Sequence, residues 1–186
     1  FKGIKPDFFN NQSQSYMRLY YSLARLCAEN KLLFNPHGTH KPTGERRTWP
    51  NTLTREGVFG AEQDLYRPSD MSAQHNIMLP FTRNAIGQAD YTPMFSYRVS
   101  GTRRNYTVAH MAAQAIVYES GLQCLADRDA TYLASPARDL FVNLPAGWDE
   151  SLSLAAEPGE YVSIARRSGE NWYVGAMTVA ARDAVV

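Results

Sequence analysis

The sequence predicts an α/β chain: part of a parallel (β/α)8 TIM barrel over residues 1–145, followed by a small antiparallel β domain over 146–186. Three observations predict it. A strand, a helix with an apolar stripe and a second apolar strand follow one another within the opening stretch, the succession from which parallel sheets are built. A long loop rich in Gly, Pro, Thr and Arg then runs from His37 to Pro50. From Ser151 the pattern alternates with period two, through SLSLAAE, EYVSIARR and NWYVGAMTV, with Pro158-Gly159 and Ser168-Gly169 as turns. The boundary falls near Pro145-Ala146-Gly147.

Taken in order, FKGIKPDF reads as a short strand ending at Asp7. Polar residues 9–15 lead into a helix from Gln14 to Glu29. Its apolar positions Tyr16, Leu19, Tyr20, Leu23, Leu26 and Cys27 recur at three- and four-residue spacing, a stripe facing a core. KLLFN (31–35) is a continuous apolar run, a second strand buried on both faces. NTLTREGV (51–58) suggests a third strand with charges at its end. Residues 74–87 suggest helix then turn, broken at Pro80. Thr107 to Ser120 reads as a helix, with Thr107 as N-cap and Gly121 as stop. Leu122 to Ala126 suggests another strand, and Thr131 to Leu140 a last helix.

Composition narrows the partners. Lys+Arg is 19 and Asp+Glu is 18, a formal net charge of +1. The arginines are scattered, so no basic stripe marks a nucleic-acid binder. No apolar run approaches the length of a membrane span. The chain's opening residues do not read as a signal peptide. It opens inside what reads as a strand, and a fragment of a longer protein is expected. Cys27 and Cys124 make no disulfide framework; Cys27 sits on the helix's apolar face as a small buried hydrophobe. Aromatics are 12% of the chain; such rings can hold sugars, but most fill cores. Asn11-Gln12-Ser13 and Asn105-Tyr106-Thr107 match the glycosylation acceptor pattern, which is common by chance.

A barrel enzyme keeps reactive groups at the C-terminal ends of its strands. Asp7, Glu56 and Glu62 fit that placement. An Asp after a strand is, taken alone, more often a turn or cap carboxylate. Lys5 shifts the balance: two residues earlier, it points to the same side. It would keep Asp7 ionised and could bind a sugar hydroxyl, and an ionised carboxylate aimed at a substrate carbon is a nucleophile. Glu56 and Glu62 bracket Gly57-Val58-Phe59-Gly60. Two solvated surface glutamates would be the plainer reading, but Glu56 ends an otherwise apolar strand. The glycines allow a sharp turn and leave space for a ligand. A carboxyl that donates a proton near neutral pH needs burial or a negative neighbour. His37, His40, His75 and His110 show no metal-binding spacing; His37, after the second strand, is the one placed to meet substrate. Glu56 is the best candidate ligand for a calcium ion. No G-x-S-x-G nucleophile elbow is present, which disfavours an esterase.

HGTHKPTGERRTWPNTLTREGVFGAE (37–62), LPFTRNAIGQADYTP (79–93) and EYVSIARRSGENWYVGAMT (160–178) resemble glycoside hydrolase family 97, and the similarity covers nearly the whole chain. The resemblance implies an N-terminal β-sandwich, a (β/α)8 barrel and a C-terminal β domain. The present chain would hold the later barrel strands and most of the terminal β domain, with the N-terminal part of the same enzyme as its missing partner. It also implies calcium-dependent α-glucosidases or α-galactosidases of bacteria, periplasmic or secreted, acting on oligosaccharides or α-glycosides. In inverting members a glutamate follows the histidine of the loop after the second strand; here Gly38 stands there, as in the retaining branch. The strand GIKxDF is here Gly3-Ile4-Lys5-Pro6-Asp7-Phe8, which makes Asp7 the nucleophile by likeness. In the motif EGVxGxE, Glu62 becomes the acid/base and Glu56 the calcium ligand. A retaining double displacement is expected, and the alternative is a non-catalytic carbohydrate-binding remnant.

Overall fold

The computed structural model describes residues 1–67, 71–94, 98–99, 102–103 and 106–179. Asn105 of the second acceptor pattern lies outside them. Strands β1 (Gly3–Ile4) and β2 (Leu33–Phe34) are parallel neighbours, joined through helix α1 (Gln14–Glu29). Backbone bonds continue this succession. Phe34 N–H donates to Asn51 C=O and Glu56 N–H to Pro36 C=O; Asp90 N–H to Arg55 C=O and Ala61 N–H to Tyr91 C=O; Ala89 N–H to Glu119 C=O and Ala126 N–H to Pro93 C=O. In each pair of bonds the residue numbers rise together in both segments, as parallel neighbours require. Among the described residues no barrel closes; the mixed α/β part ends in a separate three-stranded antiparallel sheet.

Helix α1 has the predicted bounds. Its core face is narrower than the stripe suggested: Tyr20, Ala24 and Cys27 are buried, while Leu19 and Leu26 are exposed. Tyr20 stacks edge-on with Phe9 and with His40. The helix stops where Lys31 takes positive φ and Leu32 N–H turns back to Cys27 C=O, a left-handed stop usually given to glycine. Strand β2 is buried on one face only: Phe34 packs against Ala24 and Cys27, and Leu33 is exposed.

The third expected strand survives as a single parallel bridge, Phe34 to Thr52. Helix α2 (Ala73–Met78) passes into a 3-10 turn at Leu79–Phe81 containing Pro80. The strands β3 (Arg98–Val99) and β4 (Thr102–Arg103) pair antiparallel. Helix α3 (Val108–Val117) is capped by Thr107, whose side chain accepts from His110 N–H. It ends before the expected Gly121, because Tyr118 is extended and its hydroxyl donates to Asn76 C=O at 2.8 Å. Leu122–Ala126 forms no strand. The last expected helix divides into α4 (Asp129–Leu133) and α5 (Arg138–Asn143), with Pro136 between them.

Strands β5 (Glu150–Glu157), β6 (Tyr161–Ser168) and β7 (Asn171–Thr178) follow the alternating pattern, turning at Pro158-Gly159 and Ser168-Gly169. Val162 and Met177 share one buried cluster with Ile77, Met111 and Val117. Arg166 donates to the carbonyls of Ile116 (2.6 Å) and Val117 (3.0 Å) at the end of α3. The sheet thus covers the orphan carbonyls of that helix.

Candidate active site

Asp7 stands on a turn just beyond β1. His37 N–H donates to Pro6 C=O (2.8 Å) and Asn10 N–H to Gly38 C=O (2.6 Å), so the turn is held at both ends. Pro6 breaks nothing, because here the second segment donates: Leu33, Asn35 and His37 bond the carbonyls of Lys2, Ile4 and Pro6. Asp7 is exposed, and its Oδ1 accepts from Phe8 N–H at 2.6 Å. Gly38 lies directly opposite at φ +53°. A Cβ there would come within 2.9 Å of Asp7 Oδ1 and 2.7 Å of Phe8 N. Position 38 therefore has no room for a side chain while Asp7 sits where it does.

Glu56 is half-buried, and its Oε2 accepts from Gly38 N–H at 2.6 Å. Behind it Arg83 donates to the carbonyls of Arg55, Glu56, Gly57, Gly87 and Gln88. One guanidinium, its own pKa lowered to about 10 by burial, thus fixes the backbone on which Glu56 rides. Burial pushes the Glu56 carboxyl above its usual range; Gly38 N–H and His37 oppose this, and the charges of Asp7 and Glu62 add to it. Three acidic side chains therefore act on one another.

Glu62 is half-buried on the 3-10 turn Ala61–Leu65, with its N–H on Thr92 Oγ1 at 3.3 Å. The glycines between the two glutamates do not leave space for a ligand. Gly60 presses on the Tyr91 carbonyl and Gly57 on that of His40, so backbone fills what a Cβ would take. Lys5 is exposed; its charge lowers the Cys124 thiol while Glu62 raises it, so both reach the same neighbourhood. Burial and then Asp90 dominate and push that thiol up to about 12.

His37, expected to meet substrate, is 1% exposed. Its Nε2 lies 2.8 Å from Asp90 Oδ2 and its Nδ1 3.9 Å from Glu56 Oε2. Asp90 and Arg83 carried no assigned role in the sequence reading. The available signals were an acid between Ala89 and Tyr91, and a lone arginine in an apolar stretch. Their partners lie on distant segments, which no local pattern reveals.

His37, Glu56 and Glu62 each place a donor atom within 4.8 Å of the other two. His37 Nδ1 is buried without a hydrogen-bond partner. The two carboxylates suit an oxygen-seeking cation completed by water, at ligand distances of about 2.3–2.6 Å, whereas an imidazole nitrogen suits a softer one. A second group, His37, Asp90 and Cys124, fits a metal poorly. Its thiol stays protonated and its carboxylate is already engaged.

Residues 1–58 match the profile of glycoside hydrolase 97, and residues 147–185 match that of the glycosyl-hydrolase 97 C-terminal, oligomerisation region. The chain is 38% identical to a retaining alpha-galactosidase of Bacteroides thetaiotaomicron, over 95% of this chain and 28% of the relative. It is 40% identical to a probable retaining alpha-galactosidase of Streptomyces bingchenggensis, over 94% of this chain and 27% of that protein. Among solved structures it resembles a family 97 enzyme of Pseudoalteromonas sp. strain K8 in complex with acarbose (TM-score 0.81, 32% identity, 90% of this chain, 27% of that one). It also resembles a beta-arabinopyranosidase (TM-score 0.87, 30% identity, 96% and 30%). The chain spans less than a third of the length of these relatives. With both family profiles and these relatives in agreement, the chain belongs to glycoside hydrolase family 97, as a C-terminal portion homologous to its retaining alpha-galactosidases.

Proposed function

We propose that this chain supplies the catalytic carboxylates of a retaining α-glycoside hydrolase, an α-galactosidase or α-glucosidase. Residues 1–145 then form later strands of its (β/α)8 barrel, completed by the enzyme's N-terminal part, and 146–186 its C-terminal β domain. Support for the barrel comes from the parallel succession of backbone bonds through residues 1–126. The observation that carries the chemistry is the fit of Asp7 against Gly38. A glutamate base at position 38 and an aspartate nucleophile at position 7 would compete for one space, and this chain has the aspartate.

Asp7 attacks the anomeric carbon while Glu62 protonates the departing glycosidic oxygen. The bond from C1 to that oxygen breaks and a bond to an Asp7 oxygen forms. Glu62 then takes a proton from water, whose oxygen displaces Asp7 and leaves the configuration retained. This requires carboxyl groups about 5–5.5 Å apart. Lys5 contacts a sugar hydroxyl; His37 contacts another. Glu56 would hold calcium, with Glu62 within reach. Calcium, when bound, supplies positive charge against the crowded carboxylates. A periplasmic or secreted bacterial location belongs to the same reading.

In the intact enzyme, Asp7→Ala should abolish hydrolysis of nitrophenyl α-galactoside and α-glucoside; full activity would refute the nucleophile. Glu62→Gln should slow poor leaving groups by about 10²–10⁴-fold and activated aryl glycosides far less. Equal losses on both would remove the acid role. Sugar binding without nitrophenol release by the unmodified enzyme would favour the non-catalytic reading.

A further inference from the structure

Asp90 is fully buried, and both of its carboxyl oxygens have polar partners. Oδ2 accepts from Asn35 Nδ2 (2.8 Å) and faces His37 Nε2 (2.8 Å), and Oδ1 accepts from Cys124 N–H (2.9 Å). Asn35 Nδ2 and the Cys124 N–H can only donate, so both oxygens of Asp90 accept, as those of an ionised carboxylate do. His37 Nε2 must carry the hydrogen between them. In an uncharged imidazole the other nitrogen is then bare. That nitrogen, Nδ1, is the buried atom with no partner, 3.9 Å from Glu56 Oε2. The separation is too long for a hydrogen bond, and a single oxygen atom can bridge it.

We infer that Asp90 is a positioning residue that fixes His37 as the Nε2–H tautomer, so that Nδ1 accepts a hydrogen bond from a sugar hydroxyl beside Glu56. The inference rests on the reading of His37 as a substrate contact. At metal sites a carboxylate behind a histidine orients it in this way, and losing one costs about 10–100-fold in metal affinity or activity; an effect of the same order is expected for a histidine that binds a sugar. Asn35 and the Cys124 N–H hold Asp90 in turn, so the orientation is set from three distant segments.

The test has two arms in the intact protein. Nitrogen-15 spectra of histidine-labelled protein, with His37 assigned by its loss in His37→Gln, should show a hydrogen on Nε2 and none on Nδ1. A hydrogen on Nδ1, or on both nitrogens, overturns the inference without any variant having to fold. Asp90→Ala removes the acceptor that holds the hydrogen on Nε2, leaving the Glu56 carboxylate beside Nδ1 as the nearer one. It should move the hydrogen to Nδ1 and raise KM for a nitrophenyl α-galactoside about 10–100-fold, with kcat changed only a few-fold. An unchanged tautomer and KM, or a fall in kcat at constant KM, would contradict it. If the unmodified protein shows the Nε2–H tautomer but no turnover, the glycosidase reading fails while the role of Asp90 in setting the ring stands.

Discussion

Arg55 and Glu56 are adjacent and face opposite ways, and their surroundings differ in kind. Arg55 is 2% exposed. Glu45 meets it at 2.8 Å, and the Tyr20 ring lies 5.5 Å from it. Glu56 looks the other way, toward Asp7 and Glu62, and its carboxyl is pushed up rather than down. Opposite charges gather on one side of the chain and like charges on the other. Charge balance behind the strand serves the fold, whereas gathered carboxylates in front cost stability, a pattern that marks candidate functional sites. The lesson is local: neighbouring residues can belong to different accounts of the same molecule.

The largest way to break this contrast is behind the strand. Arg55→Ala leaves Glu45 buried without its partner and should cost about 3–5 kcal/mol in urea unfolding. Replacing Arg55 and Glu45 together with Met and Leu should cost far less. A double variant as damaged as the single one would deny that the pair is what matters.

Next in size is Gly38→Ala. Its Cβ enters the space of Asp7 and Phe8 at a backbone conformation that disfavours side chains. Misplacing a reacting group by about 1 Å can cost about 10²-fold in rate, close to 2.7 kcal/mol. Steady-state kinetics should show that loss in kcat, alongside a lowered melting temperature from the strained backbone; wild-type kcat would mean position 38 does not set Asp7.

The smallest effect concerns Glu56 itself. Its folded pKa is raised, so the favourable contribution belongs to the protonated form. It is full at acid pH and lost as pH rises through the folded value. At neutral pH without calcium, Glu56→Gln should therefore raise the melting temperature, by about 2–4 °C if roughly 1 kcal/mol is relieved. It should also reduce any calcium-induced stabilisation. A lower melting temperature in calcium-free buffer would show that Glu56 supports the fold instead.

Asp90 follows the opposite sign. Its pKa is lowered, so its contribution is present above the ordinary aspartate value and fades as pH falls through the folded one.

What the sequence disclosed was what repeats locally. Helix α1 followed from three- and four-residue spacing, and β5 to β7 from period-two alternation between two glycine turns. Leu19 and Leu26 fit the helical stripe yet lie exposed, because periodicity names a face but not what covers it. Helix α3 stopped early because a tyrosine hydroxyl found a distant carbonyl. Asp7, Glu56 and Glu62 were legible as candidates by position and motif. The clamp of Arg83, the buried contact of His37 with Asp90 and the exclusion at Gly38 were not, since each depends on segments brought together only by folding.

In the proposed mechanism Asp7 forms a bond to sugar. Incubating the intact enzyme with a fluorinated galactosyl donor that forms but slowly releases the glycosyl-enzyme, then digesting it and sequencing the labelled peptide by mass spectrometry, tests this directly. One added sugar per active site is expected, carried by Asp7. A label on Glu56 or Glu62, or turnover that yields the inverted anomer with no labelled enzyme, would contradict it.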